Sequence, residues 1–144
     1  MVHALERVTS QLAPGGVIIC IQPHRMKRPF ISVIAQRRRM PIGFLINPVF
    51  QPLINSAEAA IAKALDRKLV TLIGKENHRF RVQLANPNQL YRYLHTGQRP
   101  PRFAPGDKKR FLQVWSAMPK GATIEVSEFL TVIALRNEGG GKGM

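Results

Sequence analysis

The sequence predicts an α/β fold with a largely interior sheet, and three observations lead there. A helical stretch over residues 2–13 turns across Pro14-Gly15-Gly16 into the unbroken apolar run Val17-Ile18-Ile19-Cys20-Ile21. Helical and extended patterns then alternate along the rest of the chain. The last extended stretch ends in another wholly apolar run, Leu130 to Leu135. Unbroken β-branched runs are how strands buried on both faces read.

Each element has a local cause. In 2–13, Leu5, Val8 and Leu12 recur at three- and four-residue spacing with Glu6, Arg7 and Gln11 opposite them, the stripe of an amphipathic helix. Proline cannot continue that helix and glycine permits the turn out of it. A helix entering a buried strand this way is the second half of a β–α–β crossover. Phe30–Ala35 and Pro41–Ile46 flank the polar tip Gln36-Arg37-Arg38-Arg39 and read as an inserted hairpin. A helix follows Asn47-Pro48, regular from Pro52, with Leu53, Ala57, Ile61 and Leu65 on one face. Leu72–Leu84 is an extended strand, irregular at Gly74, whose second part sets Phe80, Val82 and Leu84 against Arg79, Arg81 and Gln83. Asn86 and Pro87 cap and begin a short helix bearing Leu90, Tyr91 and Leu94. Residues 96–106 read as a loop. Asp107 caps a further helix with Phe111, Val114, Trp115 and Met118 inward, ended by Pro119 and Gly121. Thr123–Leu135 is the last strand, and its apolar end lies inside the sheet by this reading.

Composition sets limits. The 144 residues and 44% apolar content suit one folded domain over 1–138, with 139–144 a flexible glycine-rich tail. No 20-residue uncharged apolar stretch exists, so no membrane span is expected. The first residues lack a secretory pattern, so a cytoplasmic protein is expected. Cys20, the one cysteine, reads as a core thiol or as a nucleophile. No Cys/His cluster has zinc spacing, and no serine lies in a nucleophile elbow.

Charge is the unusual quantity. Lys and Arg number 22 against 8 Asp and Glu, a formal net charge of +14. Such a field attracts nucleic acid, anionic lipid or acidic protein. The basic groups are short: Arg25, Lys27 and Arg28; Arg37, Arg38 and Arg39; Lys108, Lys109 and Arg110. The last two groups could track phosphates, although no exposed aromatics interleave with them as on an RNA-recognition sheet.

The stretch Ala4-Leu5-Glu6-Arg7-Val8-Thr9-Ser10-Gln11-Leu12-Ala13-Pro14-Gly15-Gly16-Val17-Ile18-Ile19 resembles the fourth helix and fifth strand of class I S-adenosylmethionine-dependent methyltransferases. There Leu-x-Pro-Gly-Gly leads into an apolar strand. The layout downstream is similar, with Ser56 to Ile61 as the next helix and the strands near Phe80 and Leu135 as the antiparallel closing pair. The resemblance implies the C-terminal half of a Rossmann-like methyltransferase sheet, strands 5 to 7 with flanking helices and an inserted hairpin. The glycine loop and strand-ending acid that would hold S-adenosylmethionine are absent. It therefore implies a chain starting after strand four and binding no cofactor by itself. That chain would be inactive alone, and would self-associate or work with a complementary N-terminal half. A basic nucleic-acid-binding module and a non-catalytic interaction subunit are the alternatives. Within the resemblance, Gln22, His24 and Arg25 fall at the rim beyond the strand. His24 is then a candidate general base, its other reading being a solvated loop histidine. Tyr91, Tyr93 and Trp115 are candidate pocket walls or packing residues. Arg99 and Arg102 are candidate anion holders or solvated loop arginines.

Overall fold

The computed structural model describes residues 2–95 and 100–139. Ten elements follow in order: α1 (Val2–Gln11), β1 (Val17–Pro23), β2 (Phe30–Ala35), β3 (Arg38–Ile46), α2 (Phe50–Asp66), β4 (Val70–Leu84), α3 (Pro87–Leu94), β5 (Arg102–Phe103), α4 (Asp107–Ser116) and β6 (Thr123–Asn137). The six strands form one antiparallel sheet in the order β1-β6-β2-β3-β5, with β4 also paired to β6.

This overturns the parallel Rossmann-like sheet and makes the protein α+β. Val17 pairs Arg136 and Pro23 pairs Leu130, so β1 runs antiparallel to β6. β1 ends the strand order and has β6 as its paired neighbour among the described residues. Val17, Ile19 and Ile21 are 50, 55 and 64% exposed, whereas an interior strand would bury them. The apolar run conceals a one-sided strand in which Ile18 and Cys20 face the core. Hydrophobicity at every position signals two covered faces only when helices in fact cover both.

The chain divides into two units. The first comprises 1–24, 50–78 and 130–144. Its core joins Ile133 and Leu135 of β6 to Val70 of β4 and Ala64 of α2, with Leu5, Ile18, Ile61 and Leu65 packed around them. Asn137, 1% exposed, ties this unit at the end of α1: its Nδ2 donates to the carbonyls of Thr9 (3.1 Å), Leu12 (2.8 Å) and Ala13 (3.3 Å). Gly15, at φ +80°, lets the Pro-Gly-Gly turn bring its N–H to the Asn137 carbonyl at 2.7 Å. α2 closes with Lys68 at φ +57° and with Leu69 N–H on the Ala64 carbonyl, which is a Schellman end.

The second unit comprises 25–49 and 79–129. Ile31 and Val33 of β2 lie beside Val126 and Ile124 of β6, and α3 and α4 cover them with Leu90, Leu94 and Phe111. Gln36 and Arg37 join β2 to β3 with φ +50° and +64°. Asp107 does not cap α4 as expected. Gly106 occupies the cap position, and the Asp107 carboxylate accepts the Phe44 N–H at 3.0 Å. Gly43 has no side chain because a Cβ there would collide with that carboxylate. The expected loop before α4 contains β5, whose Arg102 and Phe103 pair Ile46 and Leu45. β4 contributes residues 70–78 to the first unit and 79–84 to the second, and β6 contributes 123–129 to the second and 130–137 to the first.

Among the described residues no helix is long and apolar enough to cross a membrane. Among them, too, no three His, Cys, Asp or Glu side chains group as metal ligands.

Candidate nucleic-acid interface

The two units differ in charge. Residues 25–49 and 79–129 hold 15 Lys and Arg against 3 Asp and Glu, a net +12. The remaining residues hold 7 against 5, a net +2. Nearly the whole excess therefore belongs to the second unit.

Strand alternation gives that unit's sheet two chemically distinct faces. Ile31, Val33, Ile124 and Val126 take one, beneath α3 and α4. Phe30, Ser32, Glu125, Ser127 and Phe129 alternate onto the other. Phe30 lies 6.3 Å from Phe44 edge-on and 6.1 Å from Phe129, centroid to centroid. Phe44 is 51% exposed. The Arg79 guanidinium sits 5.3 Å from the Phe30 ring and 5.6 Å from the Phe129 ring, and it donates to Ser127 Oγ at 3.0 Å. Lys27 Nζ lies 5.5 Å from the Phe129 ring. Cations over ring faces are attracted by the ring quadrupole. Met26, Arg28, Pro41 and Arg110 complete a groove of about 800 Å³ around Phe30, Phe44 and Phe129.

A buried carboxylate organises the neighbouring cations. Glu125 is fully buried, and its Oε2 accepts from Arg39 Nη2 at 3.1 Å. Arg39 Nε and Arg81 Nε approach Oε1 at 3.0 and 3.5 Å without a directed hydrogen bond. Arg39 and Arg81 keep 42 and 45% of their side-chain surface exposed. One carboxylate thus holds two arginines against the sheet and leaves a local excess of positive charge. Ser32, directly across the ladder from Glu125, has a buried hydroxyl with no hydrogen-bond partner.

The residues singled out from the sequence are dispersed. Gln22 and His24 belong to the first unit; Arg25, Tyr93, Arg102 and Trp115 belong to the second. Gln22 is buried, His24 half-buried and Arg25 exposed. Tyr93 donates to Glu128 Oε1 at 2.9 Å, and burial together with the Glu128 charge raises its phenol above the ordinary range. Trp115 stacks on Phe111 at 6.5 Å and packs against the core. Arg102 and Tyr91 border one shallow depression with Pro100 and Pro101; Arg99 lies outside the described residues. Of the six basic residues proposed to meet phosphate, Arg39 is held on Glu125 and Arg110 lines the aromatic groove. Arg37 and Arg38 are exposed at the hairpin tip, Lys109 is exposed on α4, and Lys108 Nζ lies 5.6 Å from the Tyr91 ring. Burial raises the Cys20 thiol pKa, which opposes thiolate formation.

Sequence reasoning missed Phe30, Phe44, Phe129 and Glu125. Its one usable signal was the Arg79/Arg81 side of the β4 alternation. No known protein family, characterised protein or solved structure matches this chain.

Proposed function

We propose that the second unit binds single-stranded nucleic acid on its Phe30/Phe44/Phe129 sheet face, without catalysis. The observation that carries this reading is the coincidence of three clustered rings with the segregated +12 charge. Unpaired bases stack on exposed aromatic rings and on guanidinium planes, and flanking cations take the phosphates. Arg79 extends the ring surface, because its planar group already lies against two phenylalanines. Lys27, Arg28 and Arg110 border the groove where a sugar–phosphate backbone would pass. A duplex keeps its bases stacked within itself and is the poorer ligand for such a face.

The methyltransferase reading keeps its Leu-x-Pro-Gly-Gly stretch, but an antiparallel edge strand follows that turn, so the fold lends it no support.

The test is fluorescence anisotropy with a labelled twelve-nucleotide uracil-rich RNA. Stacking on an aromatic contributes about 1–3 kcal/mol per base. Phe44→Ala should weaken binding about tenfold while unfolding near the wild-type temperature, and Phe129→Ala, truncating a half-buried ring packed on Phe30, should weaken binding as much and also lower the unfolding temperature. Log affinity should fall against log salt with a slope of roughly −2 to −3, from three or four phosphates at about −0.7 each. Absence of binding at 50 mM salt, or full affinity in both variants, would exclude the proposal.

A further inference from the structure

The first unit contains an apolar pocket that the nucleic-acid reading does not use. It lies among α1, α2 and β1, has a volume of about 390 Å³, and is walled by residues including Leu5, Val8, Ile18, Ala57 and Ile61. None of its lining residues is charged. Gln22 also lines it, is 8% exposed, and has a buried Oε1 with no hydrogen-bond partner. The residue across the ladder cannot supply one: Thr131 already donates its hydroxyl hydrogen to Asn77 Oδ1 at 3.0 Å. A buried amide oxygen without a donor is unfavourable by comparison with a paired one, and buried acceptors are nearly always satisfied. An apolar cavity with a polar group in its wall is a common form of small-molecule site.

We propose that this pocket binds a small neutral amphiphile, an apolar body carrying one N–H or O–H that donates to Gln22 Oε1 once the Gln22 amide turns toward the cavity. The uncharged walls select against ionised ligands, whose desolvation nothing there would offset. At roughly 30 Å³ per non-hydrogen atom, the volume in liquid water, the pocket accepts about a dozen such atoms. A fused bicyclic phenol or a ten-carbon alcohol has that size. A ligand of either kind would touch α1 and α2 through Val8, Ala57 and Ile61 and would meet Gln22 with its polar end.

The experiment compares 2-naphthol with 2-methoxynaphthalene, which has nearly the same body and no donor, by equilibrium dialysis against the whole chain. The expected result is saturable binding of 2-naphthol about tenfold tighter than of the ether, the worth of one hydrogen bond to a buried acceptor. Gln22→Leu should bring the two affinities together, and Ala57→Phe should abolish both by filling the cavity. The wild-type comparison stands even if a variant fails to fold. Equal wild-type affinities, no binding of either compound, or a tenfold preference that survives Gln22→Leu would each overturn the proposal. None of these outcomes bears on RNA binding, which rests on other residues.

Discussion

Asn137 is a buried side chain that makes four hydrogen bonds. Its amide group joins three carbonyls at the end of α1, while its own Oδ1 accepts the Gly139 N–H at 3.2 Å. Truncation would leave helix-terminal carbonyls unpartnered in a buried place. Asn137→Ala should therefore cost about 2 kcal/mol and lower the melting temperature by roughly 6 °C. Calorimetry checks this, and a loss under 1 °C would contradict the role. Glu128 offers a different test. Burial raises its pKa above the ordinary 4.5, with the Tyr93 hydrogen bond opposing the shift. A carboxyl that holds its proton more tightly when folded contributes stability below the unfolded pKa and loses it as pH rises through the folded value. Glu128→Gln removes that dependence, so the variant should gain on wild type between pH 4 and pH 7 in urea unfolding. The opposite trend would mean that the Tyr93 bond outweighs burial.

Among the elements, the β2–β3 hairpin was legible and its turn was not. Two apolar stretches around a polar tip were enough to place the strands. The turn itself needs two residues at positive φ, which Gln36 and Arg37 adopt against their steric preference. Asn-Gly suits that two-residue turn far better. The double substitution Gln36→Asn with Arg37→Gly should stabilise the protein by about 1 kcal/mol, seen as a higher urea midpoint with an unchanged slope. A lower midpoint would show that the Arg37 side chain matters more than its backbone strain. The β4 alternation was legible in part: Val82 and Leu84 pack against the core and Arg79 and Arg81 turn to the opposite face, where they meet Ser127 and Glu125, but Phe80, expected inward, is 41% exposed. β5 was not, since two residues between prolines carry no period.

Strand direction separates the sequence reading from the molecule as a whole. The Pro14-Gly15-Gly16 turn specifies that α1 leads into a strand, but nothing local records whether the next strand runs with it or against it. The run Leu130–Leu135 suggested burial on two faces, yet Thr131, Ile133 and Leu135 are the buried members. Total charge could be counted from composition, while its confinement to one unit required knowing which segments fold together. The ring cluster was out of reach for the same reason. Phe30, Phe44 and Phe129 lie on three strands, and only the ladder register makes them neighbours.

β6 is the last of the described strands, and it pairs with β1, β2 and β4. Every earlier strand that pairs with it must wait for it during synthesis, so neither core closes while the ribosome is still reading residues 123–137. The contacts that complete the molecule join its most distant segments, which makes productive folding slow relative to helix formation. Until then β1 carries its apolar side chains with an unsatisfied backbone edge, a stretch prone to pairing with the wrong strand.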